Sequence, residues 1–165
     1  MVPLEKRCVR SWIEMHPDWK LMLLGDKEIR EMVDEMGTDE ERRAYDRCFG
    51  VMRSDFLRYF ALHRFGGVWF DTDCECIVPV DRWEVTGSCA VGREIRLTKE
   101  QQLCNWCMAA ERQHPLMARA VAVVCDNLLR ARPEVLLGLS AEERVYELTG
   151  PKALTRAAIQ SPDDL

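Results

Sequence analysis

Asp71 and Asp73, set one residue apart in Asp71-Thr72-Asp73, carry the sharpest chemical signal in this 165-residue sequence. Two carboxylates crowded together where an apolar strand ends repel one another unless a cation lies between them. Mg²⁺ and Mn²⁺ take such oxygen pairs and complete their shells with phosphate oxygens and water. Asp55 and Arg58 form a second pair, three apart and so on one face of a helix otherwise made of Phe56, Leu57, Tyr59, Phe60, Ala61 and Leu62. A helix apolar on nearly all sides is buried. Its acid and base therefore need partners, either each other in a core ion pair or a charged ligand. Thr149-Gly150 precedes Pro151. A helix starting at that proline offers free N–H groups and a positive dipole end, either to an anion or to an ordinary cap. His114 before Pro115 reads as a helix cap.

The elements that position these residues follow from pattern and punctuation. Pro3 suits a first helical turn, with Val9, Trp12, Ile13 and His16 at helical spacing. Trp19 to Leu24 reads as a strand ending at Gly25, after which Asp26 caps a helix that stops at Gly37. Thr38 with Glu41 makes a capping box for a charged helix to about Cys48. The apolar helix around Asp55 stops at Gly66-Gly67, whose roles are a left-handed stop and a close backbone approach. Val68 to Phe70 is then a short strand delivering Asp71. Cys74 to Asp81 reads as another strand brought to its end by Pro79, and Ser88 to Val91 as a further one. Thr98 with Gln101 is expected to open a helix, His114-Pro115 one to about Arg130, Ser140 with Glu143 a third, and Pro151 a last one through Ile159. Strands interleaved with helices predict an α/β layer fold, in a single domain over residues 1–165.

Composition narrows the function classes. A formal charge of −5, with 28 acidic against 23 basic residues and no basic stripe, argues against nucleic acid as a partner. No apolar run of about 18 residues exists, so no transmembrane segment is expected. The stretch from Leu116 to Leu129 is broken by Arg119 and Asp126 and reads as a core helix. The N-terminus lacks the apolar core of a signal peptide, which makes reduced thiols the default for the eight cysteines. Cys74/Cys76 and Cys104/Cys107 are the close pairs. They lack the spacing of a structural zinc site and read as small buried hydrophobes. Trp12, Trp19, Trp69 and Phe70 read as packing residues.

The stretch Arg53 to Asp73, RSDFLRYFALHRFGGVWFDTD, resembles the DXD-containing sugar-binding region of glycosyltransferase family 32, which includes fungal initiating mannosyltransferases and capsular polysaccharide enzymes. Ser11-Trp12 and His16-Pro17-Asp18-Trp19 upstream, with Asn105, His114-Pro115 and Thr149-Gly150-Pro151 downstream, resemble the family's remaining motifs in their order. The resemblance implies a GT-A-like nucleotide-diphospho-sugar transferase fold, a mixed sheet flanked by helices. It implies a metal-dependent, anomer-retaining transfer of a hexose from a UDP- or GDP-linked donor to a glycan or glycolipid acceptor. Asp71 and Asp73 would hold Mn²⁺ (or Mg²⁺), with Asp73 the direct ligand and Asp71 on ribose or a metal-bound water. Arg58 would join Asp73 as a catalytic residue by reaching phosphate or sugar oxygens. Ser54, Asp55, Asn105, Thr149 and Gly150 would contact the donor. Relatives usually open with an apolar strand that forms part of the nucleotide pocket, and this chain starts just after its place, so the fold is expected to be incomplete at the N-terminus. The alternative reading is a truncated, non-catalytic module that binds metal or sugar nucleotide, and a third is a zinc-binding interaction domain built on the cysteines. A cytoplasmic location is expected, or the Golgi lumen if an N-terminal anchor precedes.

Overall fold

The computed structural model describes residues 3–85, 87–95, 101–131 and 138–160. Helix α1 (Pro3–Met15) opens the chain and buries Cys8, Val9 and Trp12. Helix α2 (Asp26–Met36) is capped by Gly25 rather than Asp26, because the Glu28 carboxylate turns back to accept the Gly25 N–H. Helix α3 (Asp39–Asp46) has the expected box, with the Glu41 N–H on Thr38 Oγ1 at 3.2 Å and the Thr38 N–H on Glu41 Oε2 at 2.7 Å.

Helix α4 (Val51–Phe65) is the axis of the core. It buries Met52, Phe56, Leu57, Tyr59, Phe60 and Leu62, together with Asp55 and Arg58. It stops at Gly66, where φ is +70° and an added Cβ would lie 2.6 Å from the Arg112 backbone nitrogen. Only glycine combines that left-handed backbone with so close an approach. Strand β1 (Gly67–Phe70) follows at once and delivers Asp71.

Strands β2 (Cys89–Ile95) and β3 (Gln101–Ala110) pair with each other around a register shift between Val91 and Arg93. The sheet order is β1-β3-β2 and both pairings are antiparallel. The parallel contribution that a mixed sheet needs therefore does not come from these strands. Helices α5 (Pro115–Arg130), α6 (Ala141–Leu148) and α7 (Pro151–Ile159) complete the described elements. Pro115 and Pro151 stand in the first turns of α5 and α7, and Ser140 with Glu143 forms the box that opens α6. The stretch from Leu116 to Leu129 lies within α5 and is a core helix, burying Leu116, Met117, Ala120, Val121, Val124, Cys125 and Leu128. Among the described residues no helix is long and apolar enough to cross a membrane.

Three local expectations are corrected. Residues 101–110 form the central strand β3, not the start of a helix, and Thr98 lies outside the described residues. Residues 19–24 are not assigned to any strand. The expected strand from Cys74 to Asp81 is a loop ending in a 3₁₀ turn at Val80–Arg82, because α1 side chains take up the loop's backbone groups.

Candidate functional site

Arg58 is the hub of a buried polar network. Its Nη1 donates to the Asn105 carbonyl at 2.8 Å, and Nη2 lies 3.3 Å from Asp55 Oδ1 and 3.3 Å from Asp71 Oδ1. Nη2 also reaches Ser54 Oγ at 3.4 Å, and Nε reaches the Ser54 carbonyl at 3.4 Å. Asp55 accepts from Asn105 Nδ2 at 2.9 Å and from the Thr149 hydroxyl at 2.8 Å. One helix (α4), one strand (β3) and the α6–α7 junction therefore meet on a single carboxylate. Asp55 and Arg58 are each 3% exposed. At that depth an unpaired charge would be prohibitive, so the dense pairing is what permits the burial.

Burial still leaves its mark on the acids. Desolvation pushes the Asp55 carboxyl up, against the pull of Arg58 and of the Thr149 and Asn105 hydrogen bonds. Asp71 is pushed up for the same reason, opposed by Arg58 and Trp69, with Asp73 adding repulsion. Trp69 Nε1 donates to Asp71 Oδ1 at 2.9 Å, and the Arg58 guanidinium sits 5.7 Å from the Trp69 ring centre.

Asp73 stands two residues further along on an exposed turn. The loop behind it is fastened to α1. Cys8 Sγ meets the Asp73 carbonyl at 3.3 Å, Trp12 Nε1 donates to the Cys74 carbonyl at 2.9 Å, and Ser11 Oγ accepts the Cys76 N–H at 2.8 Å. His16 Nε2 accepts the Val80 N–H at 2.9 Å, which leaves Nδ1 to donate to the Trp12 carbonyl. Trp12 stacks face to face on Phe70 at 4.1 Å. Trp12 is thus a packing residue, as expected, whereas Trp19 leans on His16 with much of its ring in solvent.

The predicted residues divide into two groups. Ser54, Asp55, Arg58, Asp71, Asn105 and Thr149 share one hydrogen-bonded network. Gly150 enters it through its carbonyl, which accepts from the Tyr59 hydroxyl at 3.3 Å. The Thr149 hydroxyl is turned inward onto Asp55 rather than toward an anion at the end of α7. Asp73 is outside the network. His114 caps α5, its Nδ1 accepting the Leu116 N–H. Tyr59 is the network member that the sequence reading missed. It accepts from Asn105 Nδ2 at 3.0 Å, and burial drives its hydroxyl pKa up. A phenol on a helix apolar all round has to find a partner, and that signal could have flagged it.

Ser54, Arg58, Asp71 and Asp73 line one part of a cleft of about 840 Å³, whereas Asp55, Asn105 and Thr149 lie outside its lining. Of the two carboxylates, Asp71 is paired with Arg58, whereas Asp73 has no arginine or lysine within ion-pair distance among the described residues. No group of three or more His, Cys, Asp and Glu able to enclose a metal occurs among those residues. An oxygen-only pair of this kind fits Mg²⁺ or Mn²⁺ better than Zn²⁺, and it fits a cation whose shell is completed by phosphate and water.

Residues 3–88 match the family described as "Glycosyltransferase sugar-binding region containing DXD motif". The chain is 22% identical to the "Initiation-specific alpha-1,6-mannosyltransferase" of Candida albicans, over 88% of this chain and 45% of that protein. It is 27% identical to the "Inositol phosphoceramide mannosyltransferase 3" of Schizosaccharomyces pombe, over 68% of this chain and 30% of that protein. It thus spans less than half the length of these curated relatives. Among solved structures, "PaToxG Glycosyltransferase" superposes with a TM-score of 0.67 at 15% identity, covering 97% of this chain and 63% of that one. The two share the GT-A-like α/β fold.

Proposed function

The chain belongs to the family of glycosyltransferase sugar-binding regions containing a DXD motif, and from that premise we propose that it transfers a hexose from a nucleotide sugar to an acceptor hydroxyl. The observation that carries this reading is Arg58, fixed between Asp55 and Asp71 where it lines the cleft beside Asp73. A buried guanidinium locked in place by Asn105 and Ser54 is preorganised to meet charge that develops on a departing diphosphate. Asp71 and Asp73 would hold Mn²⁺ or Mg²⁺. Bound there, the ion neutralises the diphosphate and makes it a better leaving group.

The donor is a UDP- or GDP-linked hexose, and the printed names of the mannosyltransferase relatives support mannose. The acceptor is a glycan or glycolipid hydroxyl. Asp55 is sealed in by donors on both of its oxygens, so it orients Arg58 and the site rather than attacking carbon. With no second carboxylate posed as acid or base, the pattern of a retaining hydrolase is absent among the described residues. Attack by the acceptor on the same face as the departing diphosphate keeps the anomeric configuration. The acceptor oxygen bonds to the anomeric carbon as the carbon–phosphate-oxygen bond breaks, and the released phosphate oxygen takes the acceptor's proton.

Calorimetry with UDP- and GDP-hexoses, with and without Mn²⁺, tests the reading on the wild type and on Asp73→Asn. Metal-dependent binding that disappears in the folded variant is the expected result. Equal binding in both proteins would remove Asp73 from the site. Binding without transfer to any acceptor, and without donor hydrolysis, would favour the non-catalytic module.

A further inference from the structure

Strand β3 is distorted where it passes the acidic pair. Between the cross-strand pairs Val91–Met108 and Arg93–Leu103, β2 holds Gly92 alone, whereas β3 holds the four residues from Cys104 to Cys107. Extra residues on one strand interrupt the ladder and re-aim side chains, a device common beside active sites. Here two neighbours go different ways. Asn105 turns into the buried network, with its Nδ2 on Asp55, while Trp106 is 43% exposed although it belongs to the central strand of the sheet.

Trp106 is also the cross-strand neighbour of Asp71. Phe70 stands opposite Cys107, and the Asp71 N–H donates to the Trp106 carbonyl at 2.8 Å, so the register continues one step past β1. Directly opposite side chains of antiparallel strands share a face, about 5 Å apart at Cβ. The indole therefore flanks Asp71 from the β3 side. It does not line the cleft that Arg58, Asp71 and Asp73 line, which puts it outside the space assigned to the donor.

An exposed apolar side chain is ordinary in itself, but this one is braced. Trp106 Nε1 donates to Glu94 Oε1 at 3.4 Å, Gln102 Nε2 donates to Glu94 Oε2, and the Tyr146 hydroxyl donates to Gln102 Oε1 at 2.5 Å. Gln102 is buried and Glu94 only half-buried. A carboxylate has about four lone-pair positions, so Glu94 can hold these two donors and still accept from a ligand.

We propose that Trp106 and Glu94 bind the acceptor as a neutral hexopyranose, the indole covering the C–H face of the ring and Glu94 accepting from one of its hydroxyls. The inference rests on the transferase reading, which requires an acceptor beside the donor. A pyranose presents an apolar face of C–H bonds and an edge of hydroxyls, and an aromatic face next to a carboxylate matches both. The same carboxylate repels phosphate, so the pair favours a neutral acceptor over the anionic donor.

The test follows the indole and backbone N–H resonances of the ¹⁵N-labelled 165-residue chain by NMR. The probes are methyl α-D-mannopyranoside and methyl β-D-glucopyranoside, and the control is D-mannitol, an open-chain polyol without a ring face. At least one glycoside is expected to shift the Trp106 indole resonance to saturation, and mannitol is not. Read from the amides of Glu94 and Cys107, the dissociation constant should rise about tenfold in Trp106→Ala and about threefold in Glu94→Ala, and stay within about twofold in Trp106→Tyr, which keeps an aromatic face. No saturable shift with either glycoside, equal binding of mannitol, or unchanged affinity in Trp106→Ala or Glu94→Ala would each overturn the inference. So would displacement of the glycoside by UDP- or GDP-hexoses, which would give the indole to the donor sugar. The titrations need neither metal nor transfer and should be the same in Asp73→Asn. Their failure is thereby separable from failure of the transferase reading.

Discussion

Arg58→Ala is expected to destabilise the fold by about 3 kcal/mol at pH 7, the lower end of the range for breaking a buried ion pair. The estimate follows from who inherits the loss. Asp55 keeps the Asn105 amide and the Thr149 hydroxyl, so it is not left bare. The Asp71 side chain is 29% exposed and water can replace part of what Arg58 gave it. The lost hydrogen bond to the Asn105 carbonyl adds a smaller increment. With a urea m-value of about 2 kcal/mol/M, the midpoint should fall by about 1.5 M. The pH dependence separates this cause from a mere cavity. Burial already places the folded Asp55 pKa above the ordinary carboxyl value of 3.8, and Arg58 opposes that shift. Removing Arg58 raises the folded pKa further. Between the unfolded and folded values the folded state then binds more protons, so stability rises as pH falls through that window, by at most about 1.4 kcal/mol per unit. The variant's deficit should therefore shrink from pH 7 to pH 4.5. A deficit below about 1 kcal/mol, or one that stays constant across that range, would refute the account of the network.

Gly66→Ala and Gly67→Ala should differ sharply, although both glycines have positive φ. The first adds a clash with the Arg112 backbone to the strain and should cost about 3 kcal/mol or more, whereas the second meets nothing within 4 Å and should cost about 1–2. Thermal melting should show falls of about 6–12 °C and 2–8 °C, and equal falls would sink the close-approach argument. Burial pushes the thiols of Cys48, Cys107 and Cys125 up to about 12. At pH 8 roughly one in 10⁴ of such groups is thiolate. Mass spectrometry after brief iodoacetamide treatment should find these three unlabelled in the native protein and labelled after unfolding, and prompt native labelling would contradict the burial. Thr38→Ala removes the acceptor of the Glu41 N–H and should lower stability by about 1 kcal/mol in the same urea assay, no change meaning that the box is idle.

Helix boundaries were the most legible part of the fold, because their signals are local chemistry. Thr38/Glu41, Ser140/Glu143, Pro115 and Pro151 each act within one turn, and each stands where the pattern put it. β3 was misread because it is packed on both faces. Gln102, Leu103, Cys104 and Asn105 are buried in succession, so no alternation marks the strand, and Gln, Leu, Met and Ala all favour helices. Residues 74–81 were misread for the opposite reason. They alternate well enough for a strand, but their backbone partners are side chains of a helix distant in sequence, which no local pattern reveals. Of the site, the meeting of Asp55 and Arg58 on one helical face was readable from their spacing. That Thr149, 94 residues away from Asp55, would close the same carboxylate was not a matter of spacing at all.

The fastening of the loop after Asp73 to α1 makes the helix a ruler for that loop. The contacts span from Cys8 with Asp73 to His16, just past the helix end, with Val80, and between them Trp12 holds the Cys74 carbonyl and Ser11 the Cys76 N–H. Eight helical residues advance about 12 Å, whereas the seven steps from Asp73 to Val80 could stretch to about 23 Å. The loop thus holds nearly twofold slack in reach and almost none in registration. Shortening it by a residue would leave the span easily bridged but would slide every later backbone group past its helix side chain. Length variation in this segment should therefore be tolerated beyond Val80 and resisted before it.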